Sequence, residues 1–178
     1  MKKFLALFLA VVFCFTLLCS CSKNTEGAPD GMKAVESSDK LDYNIYIPAH
    51  WIQDLSTGVV SAYVSNSDLS NISMTQYNLE ELKPLDDYVK QYTDELTANL
   101  DELKMSEGYP QKMILDGVEA KKLEYTASLA GNTYKFMQVI CIKGATIYYF
   151  TYTALSENYD ANAEDVQKIL DNFAFKKK

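Results

Sequence analysis

Few residues in this 178-residue chain have side chains able to do chemistry, and they are widely scattered. The one histidine, His50, lies in "IPAHWIQ" beside the one tryptophan, Trp51. An imidazole titrating near neutrality can act as general acid or base, but hydrolysis also needs a nucleophile or carboxylate held against it. No G-x-S-x-G nucleophile elbow occurs. The plainer reading is a loop histidine next to a tryptophan that plugs a sheet edge. Carboxylates offer a second possibility: Asp87, Asp94 and Asp101 recur every seven residues, with Glu95 and Glu102 alongside. Calcium is the ion such oxygens would hold. Seven residues of helix, however, span about 10 Å, and one calcium needs its oxygens converging at about 2.5 Å. None of these carboxylates stands three or four residues from another, where helical side chains are neighbours. They read as a solvated helix face. The acid-rich stretches "EGYP" and "NYDANAED" do not follow EF-hand spacing either.

The four cysteines differ in kind. Cys141 lies in the apolar run "FMQVICI", where a thiol behaves as a small buried hydrophobe. The other three belong to the N-terminus. Lys2 and Lys3 precede "FLALFLAVVFCFTLL", Phe4 to Leu18. As a helix this run reaches about 22 Å, short of a hydrocarbon core of about 30 Å, so it reads as a secretory signal (residues 1–20) rather than a span. The next stretch, "LCSC", resembles a bacterial lipobox. Leu18 stands three before Cys21, and small Ser20 directly precedes it. Cys19 fits poorly, because bulky Leu18 would occupy the small-residue position. Cleavage is expected between Ser20 and Cys21, with Cys21 lipidated. Cys141 is then the one cysteine left, so neither an internal disulfide nor a cysteine zinc site is expected.

Charge narrows the function classes. All 17 basic residues are lysines against 24 acidic ones, a net charge of −7. Loss of Lys2 and Lys3 with the signal makes the mature balance −9. Such a chain, without a single arginine fork, is not built to track a phosphate backbone, so nucleic acid is excluded as a partner. An anionic membrane would repel it, so attachment falls to the acyl chains. Glycines are spread over turns with no phosphate-cradling cluster, and no cofactor or resident metal is expected.

The elements that position these residues are legible from patterning. Residues 21–40 are rich in Ser, Gly, Asp and Lys and read as lipidated cysteine plus flexible tether, with the domain proper at 41–178. Strands are expected at 43–47, 58–64 and 72–78, with a loop at 65–71. Leu85, Tyr88, Val89, Tyr92, Leu96, Leu100 and Leu103 form one 3.6-period stripe. That pattern predicts a helix over 85–103, opened by Pro84 and closed near Gly108 and Pro110. Two-residue turns at Asp116-Gly117, Gly131-Asn132 and Gly144-Ala145 predict a meander. Its last two strands are apolar on both faces, and so central. A helix over 162–172 turns Val166, Ile169 and Leu170 inward, with Asn162 as its cap. The expected class is α+β: an α/β/α sandwich with a central, largely antiparallel sheet of six to seven strands and two main helices. The last strand carries Tyr148, Tyr149 and Tyr152. Those left on an exposed face would join His50 and Trp51 in a contact patch.

The segments "YNIYIPAHW", "DGVEAKKLEYTASLAGNTYKFMQVICIKGATIYYFTYTA" and "YDANAEDVQKILDNFAFK" resemble the PsbP-like family over about residues 41–176. The resemblance implies an α/β/α sandwich of the type bacteria carry on secreted lipoproteins. Named members of that family assist photosystem II assembly and calcium and chloride retention; relatives of the same fold are small protein-binding modules. No metal-binding residue of those members maps onto this chain, so the resemblance carries over fold and a non-catalytic habit. The expected function is an extracytoplasmic lipoprotein, held to the cell membrane by its N-terminal lipid. It would act as a binding or accessory module for an envelope protein. An envelope hydrolase using His50 and a calcium-dependent binding module are the alternatives.

Overall fold

The computed structural model describes residues 27–35 and 41–176. Before the first helix come short strands, β1 (Met32–Ala34), β2 (Tyr43–Asn44), β3 (Tyr46–Pro48), β4 (Ile52–Asp54) and β5 (Val60–Tyr63), and the longer β6 (Asn71–Asn78). Helix α1 (Leu85–Asn99) follows, then β7 (Asp101–Met105), β8 (Gln111–Leu115), β9 (Val118–Leu129), β10 (Asn132–Lys143) and β11 (Thr146–Leu155). Helix α2 (Ala163–Asp171) and β12 (Ala174–Phe175) complete it.

One antiparallel sheet of eight strands forms the middle layer, ordered β4-β5-β6-β11-β10-β9-β7, with β8 sharing the outer edge of β9. Strands β10 and β11 sit centrally, as runs apolar on both faces require. Alternation assigns their side chains. Phe136, Ile140 and Ile147 face one core with Leu123, Tyr125 and Ala127 of β9. Met137, Val139, Cys141, Tyr148, Phe150 and Tyr152 face the other. The first core is closed by Val89, Tyr92 and Leu96 of α1, the second by Val166, Ile169 and Leu170 of α2. The helices therefore cover opposite faces, and the architecture is the expected α/β/α sandwich. Each such aliphatic side chain stabilises by about 1.5–3 kcal/mol when fully buried.

Two polar devices fix α1. Lys121 on β9 is 6% exposed, and its ammonium lies 2.5 Å from Asp86 in the first turn of the helix. A buried ammonium without that partner would be costly. Deeper in, Gln138 is fully buried among apolar neighbours. Its Nε2 donates to the Tyr92 hydroxyl at 2.8 Å and to Thr151 at 3.1 Å, and its Oε1 accepts from the Tyr125 hydroxyl at 3.1 Å. One amide thus ties β9, β10, β11 and α1 together.

Four sequence expectations are corrected. The helix expected over 85–103 ends at Asn99. Leu100 turns extended (φ −108°, ψ 131°), and Asn99 donates its side-chain amide to the Glu95 carbonyl at 2.7 Å, competing with further helical turns. The free edge of β9 then takes up β7, in which Leu103 still faces the α1 core but as a strand residue. The second hairpin turns at Ala130-Gly131 (φ 51° and 82°), not Gly131-Asn132, because a type I′ turn needs positive φ at both central residues. Asn162 makes no cap hydrogen bond to α2; its amide instead donates to Asp68 at 3.0 Å. Finally, the tether expected through residue 40 contains β1, which pairs with β3 and buries Met32 and Val35, the large apolar residues of that stretch.

Two expected outcomes test these packing arguments. Gln138→Leu removes the partner shared by three hydroxyls and should lose about 2–3 kcal/mol in urea unfolding; adding Tyr92→Phe and Tyr125→Phe should recover most of it, since only the Thr151 hydroxyl then lacks its amide partner. Burial pushes the Asp68 carboxyl up, but hydrogen bonds from the Ser70 hydroxyl and amide and from Asn162 outweigh it and hold it below the usual carboxylate range. A lowered native pKa stabilises above the unfolded value and is lost as pH falls through the folded one. Asp68→Asn should therefore shrink the stability difference between pH 6 and pH 3, as followed by thermal melting.

Candidate functional site

Most tyrosines here are core residues; a few on the α1 face are not. Helix α1 packs over β7, β9 and β10. The β6–β11 side of the same face is only partly roofed. A cleft of about 270 Å³ remains there. Its floor is Tyr77 of β6 with Ile147 and Tyr149 of β11, and its wall is Tyr88, Tyr92 and Glu95 of α1. The segment Leu79–Lys83 forms the rim, held by the Tyr88 hydroxyl donating to the Glu81 carbonyl.

The rings stand at steep angles to one another. Tyr77 and Tyr149 are 6.1 Å apart at 69°, and Tyr92 and Tyr149 are 5.2 Å apart at 51°. Three carboxylates, Glu80, Glu81 and Glu95, face one lysine, Lys83. Lys83 lies 3.0 Å from Glu81 and is neutralised by it. The Glu95 carboxylate accepts the neutral Gln91 amide at 3.3 Å, and among the described residues it is in no ion pair. Burial above all, with the Glu95 carboxylate adding to it, pushes the Tyr149 hydroxyl up, so the phenol stays protonated at any physiological pH. The arrangement offers aromatic faces within a negative field.

The contact patch drawn from sequence is not assembled. Trp51, Tyr148 and Tyr152 are at most 1% exposed and present no surface. Tyr148 donates to the Asp42 carboxylate and Tyr152 to the Tyr159 carbonyl at 2.9 Å, so their polar ends are spent inside the α2 face. His50 is exposed, with Nε2 3.5 Å from Asp165 of α2, and is not among the residues lining the cleft. Tyr149 alone of the five lies in the cleft. Ser20 and Cys21 lie outside the described residues. Cys141 is buried and free, and burial pushes its thiol up to about 12, far from a thiolate nucleophile. Among the described residues no three His, Cys, Asp or Glu side chains converge to hold a metal.

A second polar cluster is structural. Glu124 receives Ser106 and the Tyr159 hydroxyl, each at 3.1 Å, and pairs with Lys135 at 3.3 Å, while Lys135 lies 4.2 Å from the Tyr159 ring centre. Both carboxylate oxygens are occupied, and the cluster fastens the α2 face of β9 and β10.

The cleft tyrosines not marked as functional from sequence are Tyr77, Tyr88 and Tyr92, the last two read only as part of the helical apolar stripe, with Glu95 noted only as a possible calcium ligand. A signal existed: Tyr88, Tyr92 and Glu95 follow at spacings of four and three, placing two phenols and a carboxylate on one helix shoulder. Which strand tyrosine would meet them depended on sheet order.

Comparison with known proteins sets this geometry in context. No curated protein matches the chain in sequence. Cyanobacterial PsbP (CyanoP) from Synechocystis sp. PCC 6803 superposes with a TM-score of 0.60 at 16% identity, covering 89% of this chain and 98% of that one. LpqN of Mycobacterium tuberculosis, described as involved in cell envelope biogenesis, gives 0.50 at 15% identity over 84% and 80% of the two chains. The Saccharomyces cerevisiae Ran-binding protein Mog1p gives 0.56 at 10% identity over 81% and 95%. Identities this low establish a shared fold, and the resemblance to PsbP-like proteins holds at that level. Sequence evidence goes further, because the DcrB family model matches residues 44–172, nearly the whole sandwich from β3 through α2, and the chain belongs to the DcrB family.

Proposed function

We propose that this protein is a lipid-anchored, extracytoplasmic binding module of the cell envelope and that it does not catalyse a reaction. The observation that carries the binding reading is the cleft lined by four tyrosines, three of which, Tyr77, Tyr88 and Tyr149, are only partly buried. Concave sites with aromatic walls and a few polar groups are the usual form of ligand pockets. Neighbours of the same fold point the same way: one is described as Ran-binding, another as acting in envelope biogenesis. The described residues contain no helix long and apolar enough to cross a membrane. Attachment then rests on Cys21, carried by the lipobox "LCSC". The hydrolase alternative gains little from His50, whose side chain is 62% exposed and whose neighbour is a surface carboxylate. General base catalysis works best from a site that excludes water.

Three measurements bear on this reading. Intact mass of the membrane-extracted protein should place the N-terminus at Cys21 with acyl chains attached, and Cys21→Ala should stay unprocessed or leave the membrane. A start elsewhere, or no acyl mass, removes the anchor. Purified protein should show no turnover on ester, glycoside and phosphoester panels; turnover lost in a folded His50→Ala variant would establish the hydrolase instead. For binding, a photocrosslinking residue at Lys83, on the cleft rim, should give a discrete adduct in cells. The same residue at Lys168, on the α2 face, should not, and equal labelling at both positions would remove the cleft as the binding surface.

A further inference from the structure

We infer that the α1-face cleft recognises a small organic cation, a free quaternary-ammonium solute of about the size of choline. This rests on the reading of the cleft as a binding site and names what it takes.

Charge excludes most alternatives. An anion would meet Glu80, Glu81 and Glu95, while the one lysine present lies 3.0 Å from Glu81. No arginine exists in the chain to form a bidentate anion fork. A bare metal ion needs several oxygens converging on one point, and among the described residues no such group exists. A positive charge spread over methyl groups needs neither. It is held by ring faces, whose quadrupoles are negative, and by carboxylates at the edge.

The cleft supplies both. Tyr149 forms the common corner, with the Tyr77 ring at 69° and the Tyr92 ring at 51° to it, and all three rings line the cleft. Glu95 stands within electrostatic reach of the Tyr149 hydroxyl. Its carboxylate is bonded by the neutral Gln91 amide, so its charge is not cancelled there. A primary ammonium would instead need three well-placed acceptors for its protons. At about 270 Å³ the space lies at the small end of ligand pockets, which suits a headgroup-sized solute better than a folded peptide. The acidic rim also disfavours a phosphate attached to the cation, and so a free solute is favoured over a phospholipid headgroup.

The test is calorimetric titration of the full chain, held in an uncharged maltoside detergent, with three probes: choline, its neutral isostere 3,3-dimethylbutan-1-ol, and phosphocholine. Choline should bind saturably in the millimolar range or tighter. The neutral isostere should bind roughly tenfold more weakly, the share a desolvated cation–π contact carries. Phosphocholine should also be weaker, and choline binding should weaken as salt is raised. Tyr149→Phe should keep the affinity because the ring face remains, Tyr149→Leu should lose about tenfold or more, and Glu95→Gln, a half-exposed change that leaves the core untouched, should weaken choline but not the isostere.

Equal binding of choline and its isostere would overturn the assignment of a cation and leave an apolar cleft. Phosphocholine matching choline would overturn the free-solute assignment. No saturable heat with any probe, while the Lys83 crosslink stays cleft-specific, would overturn this inference and leave the binding module standing. Loss of both would remove both.

Discussion

Everything in this fold follows from a pair of strands that cannot face water on either side. β10 and β11 carry Phe136, Ile140 and Ile147 toward one layer and Met137, Val139, Cys141, Phe150 and Tyr152 toward the other, all at most 4% exposed. Such strands need two covers, and the two available helices are unequal. α1 has 15 residues and α2 only 9. The shorter helix cannot roof its face, so that face recruits the chain ends: Met32 and Val35, then Tyr43, Ile45, Ile47 and Trp51, and finally Phe173 and Phe175. The small pairings β1–β3 and β2–β12 exist to hold those residues down. A stretch with as few large apolar residues as 27–35 is drawn into the structure because the sheet behind it has unburied apolar surface to cover.

The α1 face meets the opposite difficulty. One long helix spans most of it, and precision comes from polar groups rather than extra mass. Gln138 fixes the helix against three strands, and Lys121 draws the helix start toward β9 through Asp86. With α1 held over β7, β9 and β10, the outer strip along β6 and β11 is left half-covered. Tyrosine suits that position, being apolar along its ring and able to meet water at its hydroxyl. The cleft is thus a consequence of where α1 is anchored, and ring orientation within it follows from the same anchoring.

Much of this was legible in the sequence, and the misses have physical causes. Central placement of β10 and β11 was readable because apolar residues on both faces admit one explanation. The inward face of α2 was readable because Val166, Ile169 and Leu170 share one stripe. The end of α1 was not: Leu100 and Leu103 continue the helical period by coincidence while lying in a turn and a strand. Asn162 looked like a helix cap because caps are local, but Asp68, 94 residues away, makes the stronger claim on its amide. Tyr148, Tyr149 and Tyr152 could not be sorted into buried and open by alternation alone. Tyr148 and Tyr149 do point to opposite faces, but which face is roofed is set by helices distant in sequence. Gln138 was hidden for a similar reason, since its three partners come from three different elements.

Tether length and surface charge act together at the membrane. With Cys21 lipidated as proposed, Met32 stands eleven residues further on, and that chain reaches at most about 40 Å fully extended. A tether running to residue 40 would have allowed nearly twice that reach. With that anchor, pairing of β1 with β3 would shorten the leash and keep the sandwich within roughly its own diameter of the bilayer. The chain is acidic, at a net −7, so an anionic surface would push a body anchored in this way toward the outer limit of that range rather than let it lie flat. Repulsion acts over about a Debye length, near 8 Å at physiological ionic strength, and so sets a standoff without opposing the anchor. The same negative field that would hold the domain off an anionic membrane would raise the local concentration of organic cations around it, and the tyrosine-lined cleft on the α1 face is where, on the inference above, one would be received.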